Sequence, residues 1–278
     1  MKPAAAILAA LLAAPMAQAQ DCGGAKAPCT IETGTYYAAL PNQPDNAPVL
    51  LWLHGAGGSG QGVMGNPTIR DVALERGYAV IAPNAKPREG SRIGPVWNFY
   101  PGWDGRDEPA FLQDVVEDAA ARFATSAEDV LLAGFSAGGF MVSYLACETP
   151  NAFPAYAPVA GGFWRPHPDR CAGPVNLHHT HGWADRTVPL EGRPLGGGAY
   201  LQGDIFAGLE IWRSANGCTA QRPDASWQQG DRLHRAWNEC GNAGSLEFVL
   251  HSGGHTVPEG WTDIALDWFD ALATGGMN

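Results

Sequence analysis

Apolar residues in this chain come in short unbroken runs, each ending in a turn. "APVLLWLHG", "YAVIAPN", "DVLLAGFS", "YAPVAGG", "PVNLHHTHG" and "SLEFVLHSGG" are such runs. A run with no polar alternation is buried on both faces, as a strand is in the middle of a parallel sheet. Between and after the runs lie stretches of helical period: "PTIRDVALERG", "EPAFLQDVVEDAAARF", "AGGFMVSYLACE", "DIFAGLEIWRSANG" and "WTDIALDWFDALA". Pro67 near the start of the first and Gly77 at its end are ordinary helix boundaries. Strands alternating with helices predict the α/β class, with a mostly parallel, doubly wound sheet and helices on both faces. Residues that carry function should then sit in the turns that follow the strands.

The first twenty residues, "MKPAAAILAALLAAPMAQAQ", have a lysine, an apolar run and a small-residue end at Ala19. That is the layout of a cleaved secretory signal peptide over 1–20. Its apolar run is too short to span a bilayer, and no other stretch is a candidate span. The rest, 21–278, fits one α/β domain or two small ones, and a single domain is the expected reading. Net charge is −11, with 17 basic residues against 28 acidic ones. Such a surface repels phosphate backbones and anionic lipid, so nucleic acid is not an expected partner. All six cysteines lie beyond the leader: Cys22, Cys29, Cys147, Cys171, Cys218 and Cys240. An even count in an exported chain predicts disulfides, with many connectivities open; proximity favours Cys22–Cys29, Cys147–Cys171 and Cys218–Cys240. The expected location is the periplasm or the medium.

"GFSAG", Gly134 to Gly138, is a G-x-S-x-G motif between a strand and a helix. In that setting the sharp turn strains the serine backbone and lifts the Ser136 hydroxyl clear of the sheet. Elsewhere the same letters are an ordinary glycine-rich turn. A serine needs a base to take its proton, and in a strand–turn–helix site the partners follow in the order Ser, acid, His. Asp185 in "HGWADRTVP" lies just past a strand end and is the expected acid. Asp204 and Asp263 fall in or at the start of helices and fit worse. "LEFVLHSGGHTVP" offers two bases. His251 continues its strand, whereas Gly253 and Gly254 carry His255 into a loop, so His255 is the expected base.

"HGAGGSG", His54 to Gly60, contains G-x-G-x-x-G, the glycine pattern of a dinucleotide-binding turn. That reading requires an acid at the end of the second strand to hold the ribose. The second strand here ends in Pro83 and Asn84. The alternative is an oxyanion site, where the same glycines let backbone amides approach a substrate carbonyl. Its expected donors are the amides of Ala56 and Ala137.

His178, His179 and His181 raise a metal question, but no carboxylate or cysteine joins them at ligand spacing. They read as core or supporting histidines, and the chemistry requires no cofactor or metal. Ten tryptophans are present. Trp103, Trp164 and Trp183 fall where a substrate groove should run, where an aromatic platform would suit a flat acyl or sugar group.

The ordered set "LWLHGAGG", "GFSAGGFMVSYLACE", "APVAGG", "HGWADRTVP", "NGC" and "SGGHTVP" resembles the secreted polyhydroxybutyrate depolymerase and feruloyl esterase group of α/β-hydrolases. The resemblance runs from about Val49 to Pro258. It implies an α/β-hydrolase fold and hydrolysis of carboxylic esters through an acyl-enzyme, on polyhydroxybutyrate-type oligomers or feruloyl and acetyl esters. It implies Ser136 as nucleophile, Asp185 as acid and His255 as base, and it supports the Cys218–Cys240 pairing. The expected partner is a small or oligomeric ester substrate, with no obligate protein partner. Two other classes stay open: a peptidase of the same fold, and a non-catalytic binding module of hydrolase fold.

Overall fold

A computed structural model describes residues 22–24, 26–89, 93–242 and 244–274. The leader expected over 1–20 lies outside them. One ten-stranded sheet organises the chain. Its strands are β1 (Cys29–Ile31), β2 (Gly34–Ala39), β3 (Val49–Leu53), β4 (Ala79–Pro83), β5 (Val130–Phe135), β6 (Ala155–Val159), β7 (Leu177–Gly182), β8 (Ala225–Gln229), β9 (Arg232–Trp237) and β10 (Leu246–His251). The helices are α1 (Gly60–Met64), α2 (Pro67–Glu75), α3 (Glu108–Phe123), α4 (Ala137–Glu148), α5 (Ile205–Ala215) and α6 (Trp261–Ala273).

Across the sheet the order is β1-β2-β4-β3-β5-β6-β7-β10-β9-β8. From β4 to β10 every neighbouring pair is parallel. These are the strands read from the apolar runs, and β3, β4, β6 and β7 are buried at every residue. Alternate side chains feed two cores. Leu51 and Leu53 join the core under α3, α4 and α5, while Leu50 and Trp52 join the one under α1, α2 and α6. That is the two-residue period of a strand covered on both sides.

Both edges of the sheet are antiparallel, and the sequence reading did not find them. β1 and β2 pair on one side, and β8 and β9 extend β10 on the other. Every residue of β8 is exposed, so its sequence, "ASWQQ", carries no apolar signal. Only pairing to β9 makes it a strand. The five-residue α1 also escaped, because "GQGVM" is too short and glycine-rich to show a period.

Local sequence chemistry sets the ends of the longer helices. The Asn66 side chain accepts from the Thr68 amide and Pro67 occupies the first turn of α2. Asp107 accepts from Ala110 at the start of α3. Asp204 accepts from Ala207 at the start of α5, and so serves as a helix cap. The cysteines pair as Cys22–Cys29, Cys147–Cys171 and Cys218–Cys240, the pairing that proximity favours. The second ties the end of α4 to the segment before β7, and the third ties the segment after α5 to the one before β10.

Candidate active site

Ser136 sits between β5 and α4 with φ 56° and ψ −114°, a conformation that non-glycine residues rarely adopt. Two neighbouring glycines make the turn possible. A Cβ on Gly138 would lie 2.2 Å from the Leu53 carbonyl oxygen, and one on Gly134 would lie 2.7 Å from the Gly138 carbonyl. Only bare backbone lets β3, β5 and α4 pass this closely. The Ser136 amide donates to the Val159 carbonyl at 2.9 Å, which ties the turn to the end of β6.

The loops after β7 and β10 converge on this serine. His255 Nε2 is 2.9 Å from Ser136 Oγ, and His255 Nδ1 is 2.7 Å from Asp185 Oδ2. Asp185 Oδ1 accepts from the amides of Thr187 and Val188, each at 2.8 Å. Burial pushes the Asp185 carboxyl up, but the hydrogen bond from His255 and those two amides outweigh it and hold it below the usual carboxylate range. An ionised Asp185 accepts a hydrogen bond from His255 Nδ1–H and so keeps the proton on that nitrogen, which leaves the Nε2 lone pair facing the serine hydroxyl.

Behind the acid lie two fully enclosed imidazoles. His181 Nε2 bonds the Val188 carbonyl at 2.8 Å and lies 3.7 Å from Asp185 Oδ2. His179 Nε2 is 3.3 Å from His181 Nδ1. Burial is the largest influence on both rings and disfavours their charged forms. His178 points to the other face of the sheet, 3.7 Å from Glu247, which His234 contacts at 2.7 Å. No group of three or more such side chains fit to hold a metal ion occurs among the described residues. His251 stays in β10; its Nδ1 accepts from the Gly253 amide at 3.1 Å.

The turn after β3 is held from several sides. Trp97 Nε1 donates to the His54 carbonyl at 2.8 Å, and the Gly57 amide donates to Pro95 at 2.8 Å. His54 Nε2 accepts from the Ala85 amide at 3.1 Å, so its proton is on Nδ1, which faces the Gly55 carbonyl at 2.7 Å. Burial lowers the pKa of this ring and keeps it neutral. His54 is thus a brace for the turn. The amides of Gly57 and Gly58 are spent inside the loop, whereas those of Ala56 and Ala137 meet no acceptor among the described residues.

Ala56, Ser136 and Ala137 line one cavity of about 660 Å³. Five aromatic rings line the same cavity: Phe99, Trp103, Phe140, Trp164 and Tyr200. Trp164 is the hub, with Phe99 at 5.0 Å, Tyr200 at 5.1 Å and Trp103 at 5.4 Å between ring centroids. Trp183 is 67% exposed and is not part of this lining. Phe99, Phe140 and Tyr200, together with Arg88 and Arg193, were not singled out from the sequence. The aromatic stretch from Val96 to Gly105 was the available signal for Phe99.

The parallel sheet and its covering helices have counterparts among solved structures. Acetyl xylan esterase from Aspergillus awamori superposes with a TM-score of 0.62, covering 85% of this chain and 93% of that one, at 16% identity. This is the α/β-hydrolase fold. No family model matches the chain. By sequence, the chain is 24% identical over 247 residues to poly(3-hydroxyalkanoate) depolymerase C of Paucimonas lemoignei, 77% of the chain and 56% of that protein. It is 26% identical over 230 residues to feruloyl esterase B of Piromyces equi, 77% of the chain and 40% of that protein. The chain therefore spans about half the length of these two relatives or less. Among the described residues, no helix is long and apolar enough to cross a membrane.

Proposed function

We propose that this chain is an exported serine esterase that cleaves carboxylic esters through an acyl-enzyme, with Ser136 as nucleophile, His255 as base and Asp185 as acid. The observation that carries the reading is the continuous hydrogen-bonded chain from Ser136 Oγ through both ring nitrogens of His255 to Asp185. The names of its relatives, a poly(3-hydroxyalkanoate) depolymerase and a feruloyl esterase, support the same reading. Poly(3-hydroxyalkanoate) chains and feruloyl esters are the substrate classes the names of those relatives suggest. The leader-like first twenty residues and the three disulfides favour export, with 21–278 as one catalytic domain.

In this mechanism the ester carbonyl lies against the amides of Ala56 and Ala137. Ser136 Oγ attacks the carbonyl carbon as His255 Nε2 takes the hydroxyl proton. Asp185 holds the ring in place and stabilises its imidazolium form. The two amides meet the oxyanion as charge develops; such a donor is typically worth about 3–4 kcal/mol of barrier. His255 then gives the proton to the leaving alcohol. Water, deprotonated by the same nitrogen, attacks the acyl-serine, and Ser136 departs with the returned proton.

Labelling with a fluorophosphonate and hydrolysis of p-nitrophenyl acetate test the reading together. The native protein should label at Ser136 and hydrolyse the ester, and Ser136→Ala should do neither. Hydrolysis that survives Ser136→Ala would remove the reading.

A further inference from the structure

Among the described residues that line the cavity beside Ser136 are two arginines, Arg88 and Arg193, and one acid, the exposed Glu89. The chain as a whole has 28 acidic residues against 17 basic ones, so this wall departs from the composition of its surroundings. Neither arginine makes an ion pair among the described residues.

Both are held in place by neutral groups. The Arg88 guanidinium lies over the Trp103 ring, 3.7 Å from its centroid. A guanidinium placed over a ring can still present its N–H edge to a carboxylate in a two-point contact. Arg193 gives its Nε proton to the Thr187 carbonyl at 2.7 Å, which leaves its terminal nitrogens available. Thr187 also donates to Asp185 Oδ1, so Arg193 is anchored to the loop of the proposed acid. Against the apolar rings of Trp103, Trp164 and Phe99, a charge pair is screened less than on an open surface.

We infer that this cavity takes an ester that carries a free carboxylate besides the ester bond, and that Arg88 and Arg193 bind that carboxylate. The inference rests on Ser136 being the nucleophile. A neutral ester of the same shape would fill the aromatic wall but leave both cations without a counter-charge. Linear hydroxyacid oligomers and half-esters of dicarboxylic acids have the required chemistry.

The test compares two matched pairs: the linear dimer of 3-hydroxybutyrate against its methyl ester, and mono-p-nitrophenyl glutarate against p-nitrophenyl methyl glutarate. The native protein should favour the acid over the capped ester in at least one pair, by about tenfold in kcat/KM, the size expected of a single charge-assisted contact. Arg88→Gln and Arg193→Gln should each move that ratio toward one. If either variant fails to fold, salt decides the matter on the native protein. Raising ionic strength should lower kcat/KM for the favoured acid and leave its capped partner unchanged. Equal or better use of the capped ester in both pairs, or an acid preference that neither salt nor either variant alters, overturns the inference. Native hydrolysis of p-nitrophenyl acetate separates the two failures. If it is present without charge preference, only the carboxylate site is lost; if it is absent, the reading of Ser136 fails.

Discussion

His181 braces Asp185 from behind: its Nε2 bonds the Val188 carbonyl at 2.8 Å, while the Val188 amide bonds Asp185 Oδ1 at 2.8 Å. One residue thus links the buried imidazole to the carboxylate by both of its backbone groups. His181→Leu removes the outer bond and frees the loop that aims Asp185 at His255. The expected result is a fall in kcat of about tenfold or more with little change in KM, and a stability loss of roughly 1–3 kcal/mol from the unpaired carbonyl. Steady-state kinetics and urea unfolding check it. Unchanged kcat in a variant that has lost stability would make His181 a packing residue only.

Four substitutions separate the proposed catalytic chain from its neighbours. Ser136→Ala and His255→Ala should each lower kcat by a factor on the order of 10⁶, and Asp185→Asn by about 10⁴, because in such a unit the loss of one member disables the rest. His251→Ala should cost only a few fold, since its Nδ1 is taken by Gly253 and it makes no bond to Ser136. A collapse of activity in His251→Ala beside a working His255→Ala would reassign the base.

The strained serine should carry a measurable penalty. With φ at 56° and ψ at −114°, Ser136 holds a conformation that glycine adopts freely. Ser136→Gly and Ser136→Ala both remove the hydroxyl, but only glycine relieves the backbone. Ser136→Gly should be more stable than Ser136→Ala by about 1 kcal/mol, with both inactive. Differential scanning calorimetry of the pair gives the answer, and a higher Tm for the alanine variant would contradict it.

Buried neutral histidines should make the fold sensitive to acid. Burial is the largest cause lowering the pKa values of His54, His178, His179 and His181. In the unfolded chain these rings titrate near 6.5. Below that pH the unfolded state binds protons that the folded state does not, so stability is complete above about 6.5 and falls as pH drops. The slope is about 1.4 kcal/mol per pH unit for each ring kept neutral. Asp185, with its pKa held down, adds a second loss of stability only below about pH 4, as pH falls toward its folded value. Tm should therefore decline between pH 7 and 5, and His178→Phe should flatten that decline. A level Tm over this range would rule out the account.

By itself the sequence determined what depends on neighbours along the chain. Unbroken apolar runs specified the central strands, because a strand buried on both faces tolerates no polar alternation. Glycines at 134 and 138 marked the turn that lifts Ser136, since no other residue fits between β3 and α4. Gly253 and Gly254 separated His255 from the strand that keeps His251. Tertiary structure decided what depends on residues distant in sequence. The edge strand β8 has no apolar signal and exists only through its pairing with β9. The cavity wall joins Phe99 and Trp103 from one loop with Phe140 from α4, Trp164 after β6 and Tyr200 from another loop. Trp183, two residues from Asp185, remains outside that wall and exposed. Position after a strand places a backbone at the site, but the packing of the whole molecule decides which way the side chain turns.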